Sequence, residues 1–158
     1  MPNAIPWFGI SALVVLLDLA TKWLVLAKFV PGEGRVVTPF FNLVLVFNKG
    51  AAFSFLANAP GWQTPVLAAV AIVASAVISY LMVKNGNKRL FCCGLALILG
   101  GAIGNLIDRL RFGHVVDFLD VHALGWHWPA FNVADSAITV GAVALILEGF
   151  LHREPRPA

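Results

Sequence analysis

The chain has few charged residues and almost no cysteine. Charged residues make up 12% of its 158 residues, roughly half the share that is usual for a soluble domain. The two cysteines, Cys92 and Cys93, are neighbours in an apolar run, which excludes a disulfide framework and the spacing of a metal site. The net charge of +3 is spread out, with no run of Lys or Arg. Nucleic acid is therefore not an expected partner.

Long hydrophobic segments dominate the sequence instead. Hydrophobic residues make up 59% of the chain, and the mean hydropathy is +0.85. Four segments have close to the roughly 20 residues that a helix needs to cross a bilayer, namely 7–26, 64–83, 90–110 and 133–151. They predict an all-α polytopic membrane protein with a single domain over residues 1–158. We expect the first segment to be a span and not a removable signal peptide, because Asp18 and Lys22 interrupt it and no basic leader precedes it.

The distribution of basic residues predicts the orientation of the spans. An even number of spans places both termini on one side. The basic segment 84–89 and the arginines of the tail, Arg153 and Arg156, favour the cytoplasm by the positive-inside rule, although five other basic residues then fall on the outer side. Residues 27–63 and 111–132 become periplasmic loops. Within the first loop, residues 42–47 are typical of a strand, 48–50 of a turn and 51–55 of a return strand, which predicts a β-hairpin or cradle over about residues 36–56.

Asp117 and Asp135 flank the same end of the third and fourth spans. A carboxylate close to hydrocarbon is costly, so each is a candidate for function. Two carboxylates brought together can share one proton, which is the chemistry of an aspartic peptidase. Asp135 has a structural alternative, because Asn132 could cap the fourth helix with Asp135 in its first turn. Asp117 has apolar neighbours on both sides, unlike a solvated loop acid. That the two acids meet is a hypothesis at this point.

The other polar residues of the spans have structural alternatives too. Asp18 and Lys22 are four residues apart and form either an ion pair or part of a proton or ion pathway. Asn105 and Arg109 share one helix face and could support the acids or grip a substrate. Alternatively, Arg109 extends to the headgroups with Asp108 as its partner.

The same residues have three alternatives to an aspartic peptidase, namely a metal site, a transporter or channel, and a scaffold subunit. His114, Asp117 and Asp120 follow each other at three-residue intervals, with His122 and His127 soon after, but no His-Glu-x-x-His pattern supports a metal site. We therefore predict no metal and no cofactor. A small transporter or channel would need acids near the middle of the bilayer. A scaffold subunit would use its polar residues only to pack helices.

Five segments of the chain resemble the lipoprotein signal peptidases, also called signal peptidase II, which are aspartic peptidases of bacterial inner membranes. They follow the order of that family across nearly the whole chain. The segments are 17–22 (LDLATK), 47–53 (FNKGAAF), 104–109 (GNLIDR), 113–118 (GHVVDF) and 131–136 (FNVADS).

The resemblance implies an endopeptidase that removes the signal peptide from a prolipoprotein before a cysteine carrying diacylglycerol. It implies that Asp117 and Asp135 are the catalytic pair, and that residues 42–55 form a periplasmic cradle. The implied partners are this lipidated substrate and membrane lipid, and the implied form is a monomer in the inner membrane with its active site near the periplasmic surface. The positions that match the family's supporting and substrate-binding residues are Asp18, Lys22, Asn48, Gly50, Asn105, Arg109, Asn132 and Ala134.

Overall fold

A computed structural model describes residues 3–50 and 62–151 of the chain. Four long helices alternate with two pairs of strands along the sequence. In order, the elements are α1 (Ile5–Lys28), β1 (Gly34–Thr38), β2 (Phe41–Asn48), α2 (Gln63–Lys84), α3 (Arg89–Phe112), β3 (Val115–Ala123), β4 (Trp126–His127) and α4 (Val133–Leu151).

The four predicted spans are confirmed as helices that are long and apolar enough to cross a membrane. The fourth has the predicted bounds, and the other three continue for one or two residues beyond each predicted end. The extra residues are largely polar, so an apolar segment search stops short of them. Lys28 and Lys84 lie in the last turns of α1 and α2, where a positive charge interacts favourably with the helix dipole.

Helix α3 is central and packs against each of the other three helices. Glycines on α3 allow the close approach. A Cβ atom added to Gly100 would lie 2.7 Å from the carbonyl oxygen of Ser11 on α1, and one added to Gly94 would lie 2.9 Å from that of Gly141 on α4. Small residues are common where membrane helices pack tightly. This packing fixes where the end of α3 lies relative to α1 and α4.

The strands form one antiparallel sheet in the order β1-β2-β3-β4. Its inner face packs against the end of α1 through a cluster that includes Val25, Leu45, Val116 and Phe118. The predicted strand over residues 42–47 is confirmed as β2. Gly34–Thr38 pairs with it as a hairpin, and the predicted return strand over residues 51–55 lies outside the described residues.

Strands β3 and β4 correct the prediction that residues 111–132 form only a loop. The first part of β3 is buried on successive residues, with Val115, Val116, Asp117 and Phe118 all buried. A strand that is covered on both faces lacks the alternation of apolar and polar residues that marks a half-exposed strand. The sheet is therefore larger than the predicted hairpin, and it carries Asp117.

Candidate active site

Asp117 and Asp135 approach the same place from different elements. Asp117 lies in β3 opposite Val46 of β2 and is 1% exposed. Asp135 lies in the first turn of α4. The Asn132 side-chain oxygen accepts the Asp135 backbone N–H at 2.9 Å, and Asp135 Oδ2 accepts the Asn132 N–H at 3.3 Å. This is the reciprocal arrangement of a capping box, so Asp135 has the predicted structural role in the helix start.

Asn132 links the two acids. While its backbone contacts Asp135, its side-chain Nδ2 donates to Asp117 Oδ1 at 2.7 Å. Nδ2 also lies 3.1 Å from Asn105 Oδ1 and 3.3 Å from the Val116 carbonyl oxygen. One residue with a fully buried side chain therefore contacts both carboxylates, which places the two acids next to each other.

Two further amides complete the surroundings of the acids. Asn48, at the end of β2, donates from Nδ2 to Asp117 Oδ2 at 3.0 Å. Asn105, on α3, donates from Nδ2 to Asp135 Oδ1 at 2.8 Å. Neutral amides hold both carboxylates in place by hydrogen bonds that favour the ionised form, but they add no full positive charge.

Asp117 holds a proton unusually tightly. Burial and the negative charge of Asp135 raise the pKa of Asp117 to about 7, although the hydrogen bonds from Asn48 and Asn132 oppose that increase. A carboxyl group with this pKa is close to half protonated at neutral pH. Two adjacent acids that share one proton can supply a general acid and a general base together.

Arg109 connects the acids to the residues that follow β2. Its Nη2 donates to the Gly50 carbonyl oxygen at 3.0 Å, and Asn48 Oδ1 accepts the Gly50 N–H at 2.9 Å. The Arg109 charge also interacts with Asp135 and Asp117. Its Nε is buried and has no hydrogen-bond partner within residues 3–50 and 62–151. The guanidinium is thus positioned to hold Gly50 beside the acids.

An open cavity of about 460 Å³ adjoins Asp135. Trp128 and Phe131 lie on one side and the first turns of α4 on the other. The hydroxyls of Ser136 and Thr139 donate back to the backbone oxygens of Asn132 and Asp135 at 2.9 Å each, so the cavity wall toward α4 presents mainly apolar groups. The cavity can take an apolar chain whose polar end lies at the acids.

A family model described as signal peptidase (SPase) II matches residues 10–151. The chain belongs to the signal peptidase II family. It is 60% identical over 146 residues to a lipoprotein signal peptidase of Janthinobacterium sp. (strain Marseille), a match that covers 92% of this chain and 88% of that protein. It is 58% identical over 143 residues to one of Paraburkholderia phytofirmans, which covers 90% of this chain and 83% of that protein.

Two solved structures share the fold of this signal peptidase II family member. Both are described as bacterial membrane enzymes solved by the in meso method. The first, at 2.3 Å resolution, has a TM-score of 0.82 and 27% identity, with 97% of this chain and 94% of that chain covered. The second, at 1.9 Å resolution, has a TM-score of 0.81 and 29% identity, with 95% and 94% covered. The predicted resemblance to signal peptidase II is confirmed.

Asp18 and Lys22, two further site residues expected from the sequence, lie near the acids. Asp18 and Lys22 form the predicted ion pair, with Asp18 Oδ2 at 2.7 Å from Lys22 Nζ. Asp18 Oδ1 also accepts the backbone N–H of Ala134 at 3.0 Å. Asp18 is fully buried and engaged through both oxygens, so no observation favours its alternative role in an ion pathway.

The sequence points to Asp108 only as a partner for Arg109, and the two charges do interact. Asp108 also has contacts close to the acids that its sequence position did not reveal. Asp108 Oδ2 lies 2.8 Å from Lys22 Nζ and accepts the backbone N–H of Val116 at 3.1 Å. The sequence feature that could have identified Asp108 is its position one helical turn after Asn105, close to the end of an apolar segment.

The geometry of β3 argues against the alternative of a metal site at these residues. The three-residue spacing of His114, Asp117 and Asp120 would align them on a helix, but β3 is a strand, so Asp117 and Asp120 point to opposite faces. His114 stacks on Phe47 with the ring centroids 4.2 Å apart. Within the described part of the chain, no group of three or more His, Cys, Asp or Glu side chains could hold a metal ion.

Proposed function

We propose that this protein is an aspartic endopeptidase of the bacterial inner membrane with Asp117 and Asp135 as its catalytic pair. It removes the signal peptide from prolipoproteins, before a cysteine that carries diacylglycerol. The observation that carries the proposal is the contact of both carboxylates with Asn132. Membership in the signal peptidase II family and the names of the curated relatives support the substrate class.

The mechanism follows from a proton shared between two acids. The ionised carboxylate takes a proton from a water molecule, whose oxygen then bonds to the scissile carbonyl carbon. The protonated carboxyl donates its proton to the carbonyl oxygen as that carbon becomes tetrahedral. When the intermediate collapses, the C–N bond breaks, and the carboxyl that took the proton from water gives it to the leaving amine. The other carboxylate regains a proton from a hydroxyl of the tetrahedral intermediate as the new carboxyl group forms, which restores the starting pair.

The surroundings of the acids support a division of the two roles between them. Asp117 is the proton-holding partner, because its pKa of about 7 keeps it substantially protonated at neutral pH. Asp135 is the ionised partner, because the positive end of the α4 dipole favours a negative charge in the first turn. The titration belongs to the pair, since each charge changes the proton affinity of the other.

The supporting residues orient the acids and the substrate. Asn48, Asn105 and Asn132 hold the carboxylate oxygens by hydrogen bonds. Arg109 fixes Gly50 through its carbonyl oxygen. The cavity beside Asp135 accommodates an apolar part of the substrate, so lipid can remain in a nonpolar environment while the peptide bond reaches the acids.

The positions of the basic residues support a periplasmic active site. Lys84, Lys88 and Arg89 lie where α2 ends and α3 begins. Asn105 and Arg109 lie near the other end of α3, about 16–20 residues away, which corresponds to roughly 24–30 Å along a helix. If the basic connection faces the cytoplasm by the positive-inside rule, the acids and the sheet face the periplasm. Both termini are then cytoplasmic, and the enzyme acts as a monomer.

A cleavage assay with purified protein tests this function. We expect the wild-type protein to cut a diacylglyceryl-modified prolipoprotein and to leave the unmodified precursor intact. Asp117→Asn and Asp135→Asn should each lower the rate at least about 1000-fold, since a general acid or base contributes about 100- to 10,000-fold and the pair acts as a unit. Both variants should remain folded and should still bind the lipidated substrate.

Asp120→Asn is the matched control, because Asp120 lies on the same strand and also accepts a bond from an amide, that of Asn42. It should retain the wild-type rate within about threefold, because Asp120 points to the opposite face of β3 from Asp117. Cleavage retained in Asp117→Asn or Asp135→Asn would remove the catalytic pair from the mechanism. Equal cleavage of lipidated and unlipidated precursors would overturn the substrate assignment.

A further inference from the structure

A buried lysine lies close to the catalytic pair, and its charge interacts with both acids. Lys22, on α1, is 2% exposed. Its Nζ carries three N–H donors and has three acceptors within reach. These are Asp18 Oδ2 at 2.7 Å, Asp108 Oδ2 at 2.8 Å and Asn105 Oδ1 at 3.1 Å.

Each acceptor of Lys22 leads to one of the two acids. Asp18 accepts the backbone N–H of Ala134, the residue before Asp135. Asp108 accepts the backbone N–H of Val116, the residue before Asp117. The third acceptor, Asn105, donates its own amide directly to Asp135. One ammonium group is thus connected to the helix that carries Asp135 and to the strand that carries Asp117.

The charges of this network are paired in a buried place. Asp18 and Asp108 are 0% and 2% exposed, and an unpaired buried carboxylate would be strongly unfavourable. Lys22 lies between them, and its one positive charge is shared by both carboxylates. A carboxylate forms a shorter and stronger hydrogen bond to an amide N–H than a neutral acceptor does. Asp18 and Asp108 therefore hold two backbone segments from different parts of the chain against α1 and α3.

We propose that Asp108 is a positioning residue, and that Lys22 joins Asp108 and Asp18 into a support that sets the separation of Asp117 and Asp135. This inference rests on the proposed function of those two acids. Asp108 acts through the Val116 amide and touches no reacting atom. Its effect therefore appears in the rate of the chemical step rather than in the binding of substrate.

The test compares Asp108→Asn with Asp108→Leu in the full-length protein. The Asn side chain keeps an oxygen at the position that accepts the Val116 N–H, whereas Leu is similar in size and has no acceptor. We expect kcat on the lipidated prolipoprotein to fall at least tenfold in Asp108→Leu and less than threefold in Asp108→Asn, with KM changed less than twofold in both. A misplaced acid slows the chemical step even when the substrate still binds.

Ser11→Ala is the matched structural control. Ser11 is a buried polar residue of α1 that donates to the Ala96 carbonyl oxygen at 2.9 Å, remote from the acids. It should lower the melting temperature and leave kcat unchanged. A kcat loss in Ser11→Ala equal to that in Asp108→Leu would show that general destabilisation explains both and would overturn the inference. So would an unchanged kcat in Asp108→Leu, or an equal loss in the Asn variant.

A second measurement applies even if Asp108→Leu does not fold. In ¹⁵N-labelled protein, Asp108→Asn should shift the Val116 amide proton upfield, because a neutral acceptor replaces a charged one, while the Ala134 amide changes much less. An unchanged Val116 amide would contradict the inference without reference to catalysis. Wild-type protein that fails to cleave the lipidated precursor would contradict the proposed function instead, so the two failures are distinguishable.

Discussion

Asp117 and Asp120 lie three residues apart on β3 and have opposite surroundings. Asp117 lies between amides of β2 and the start of α4, next to a second acid, and burial raises its pKa to about 7. Burial alone would also raise the pKa of Asp120, but hydrogen bonds from Asn42 and His127 lower it below its usual range. The same residue type on one strand thus becomes a proton-holding acid or a permanently charged partner, according to its neighbours.

The surroundings of Asp117 and of Asp120 should differ most in how much kcat falls when the amide that holds each acid is removed. Asn132 donates to Asp117 at 2.7 Å and Asn42 donates to Asp120 at 2.8 Å. Asn132→Ala should lower kcat on lipidated prolipoprotein at least about 100-fold, because it releases Asp117 and the first turn of α4 together, and small displacements of reacting groups cost this much.

Asn42→Ala is the equivalent change in the other region and should alter kcat less than about threefold, as expected for a partly exposed contact remote from the reacting atoms. Circular dichroism of both variants checks that they are folded. Similar losses in the two variants would show that the Asp117 region has no special role.

The pH dependence of cleavage is a second way to distinguish Asp117 from Asp120. Because the pKa of Asp117 is about 7, the shared proton is lost as the pH rises above that value. We expect kcat to fall roughly tenfold per pH unit on the alkaline side, as it does when one protonated group is required. Asp120→Asn should leave this profile unchanged, because Asp120 is already ionised there. A rate independent of pH between 6 and 9 would contradict the assignment of the proton to Asp117.

The smallest expected effects are on the pH dependence of the free energy of unfolding, and they have opposite signs for Asp117 and Asp120. The raised pKa of Asp117 means that the folded state binds a proton more tightly than the unfolded chain, so wild-type protein loses stability relative to Asp117→Asn as the pH rises from about 4 to about 7. The lowered pKa of Asp120 means that the folded state binds a proton less tightly than the unfolded chain does. Its contribution is present above about pH 4 and is lost as the pH falls through the folded-state pKa.

Thermal unfolding in detergent between pH 3 and 8 measures both trends. The melting temperature of Asp117→Asn relative to wild type should rise with pH, whereas that of Asp120→Asn should fall, with about 2–4 °C for each kcal/mol of change in stability. Parallel trends in the two variants would mean that the environments of the two acids do not differ in the way described.

The helices and the family were accessible from the sequence, but the pairing of the strands was not. Apolar length alone located the four helices, since crossing hydrocarbon requires a run of that length. The strand over residues 42–47 was visible from its β-branched and aromatic residues, yet its partners Gly34–Thr38 and Val115–Ala123 lie far away in sequence. Burial on both faces of β3 removed the alternation that would have revealed it.

The same distinction applies to the polar residues beneath the acids. The ion pair of Asp18 and Lys22 was predictable because both lie on one helix, four residues apart. The second partner of Lys22 was not, because Asp108 lies 86 positions further along the chain and reaches Lys22 only when α1 packs on α3.

The sequence by itself determined that the described residues include four helices long and apolar enough to cross a membrane, that the chain is related to signal peptidase II, and that two acids lie near helix ends. Those features depend on local composition and on short motifs. Only the tertiary structure decided which side chains hold the acids, because hydrogen bonds and charge compensation in a buried site depend on distances between segments that are remote in sequence. Lys22 illustrates this, since its place between Asp18 and Asp108 exists only after the helices pack and β3 joins the sheet.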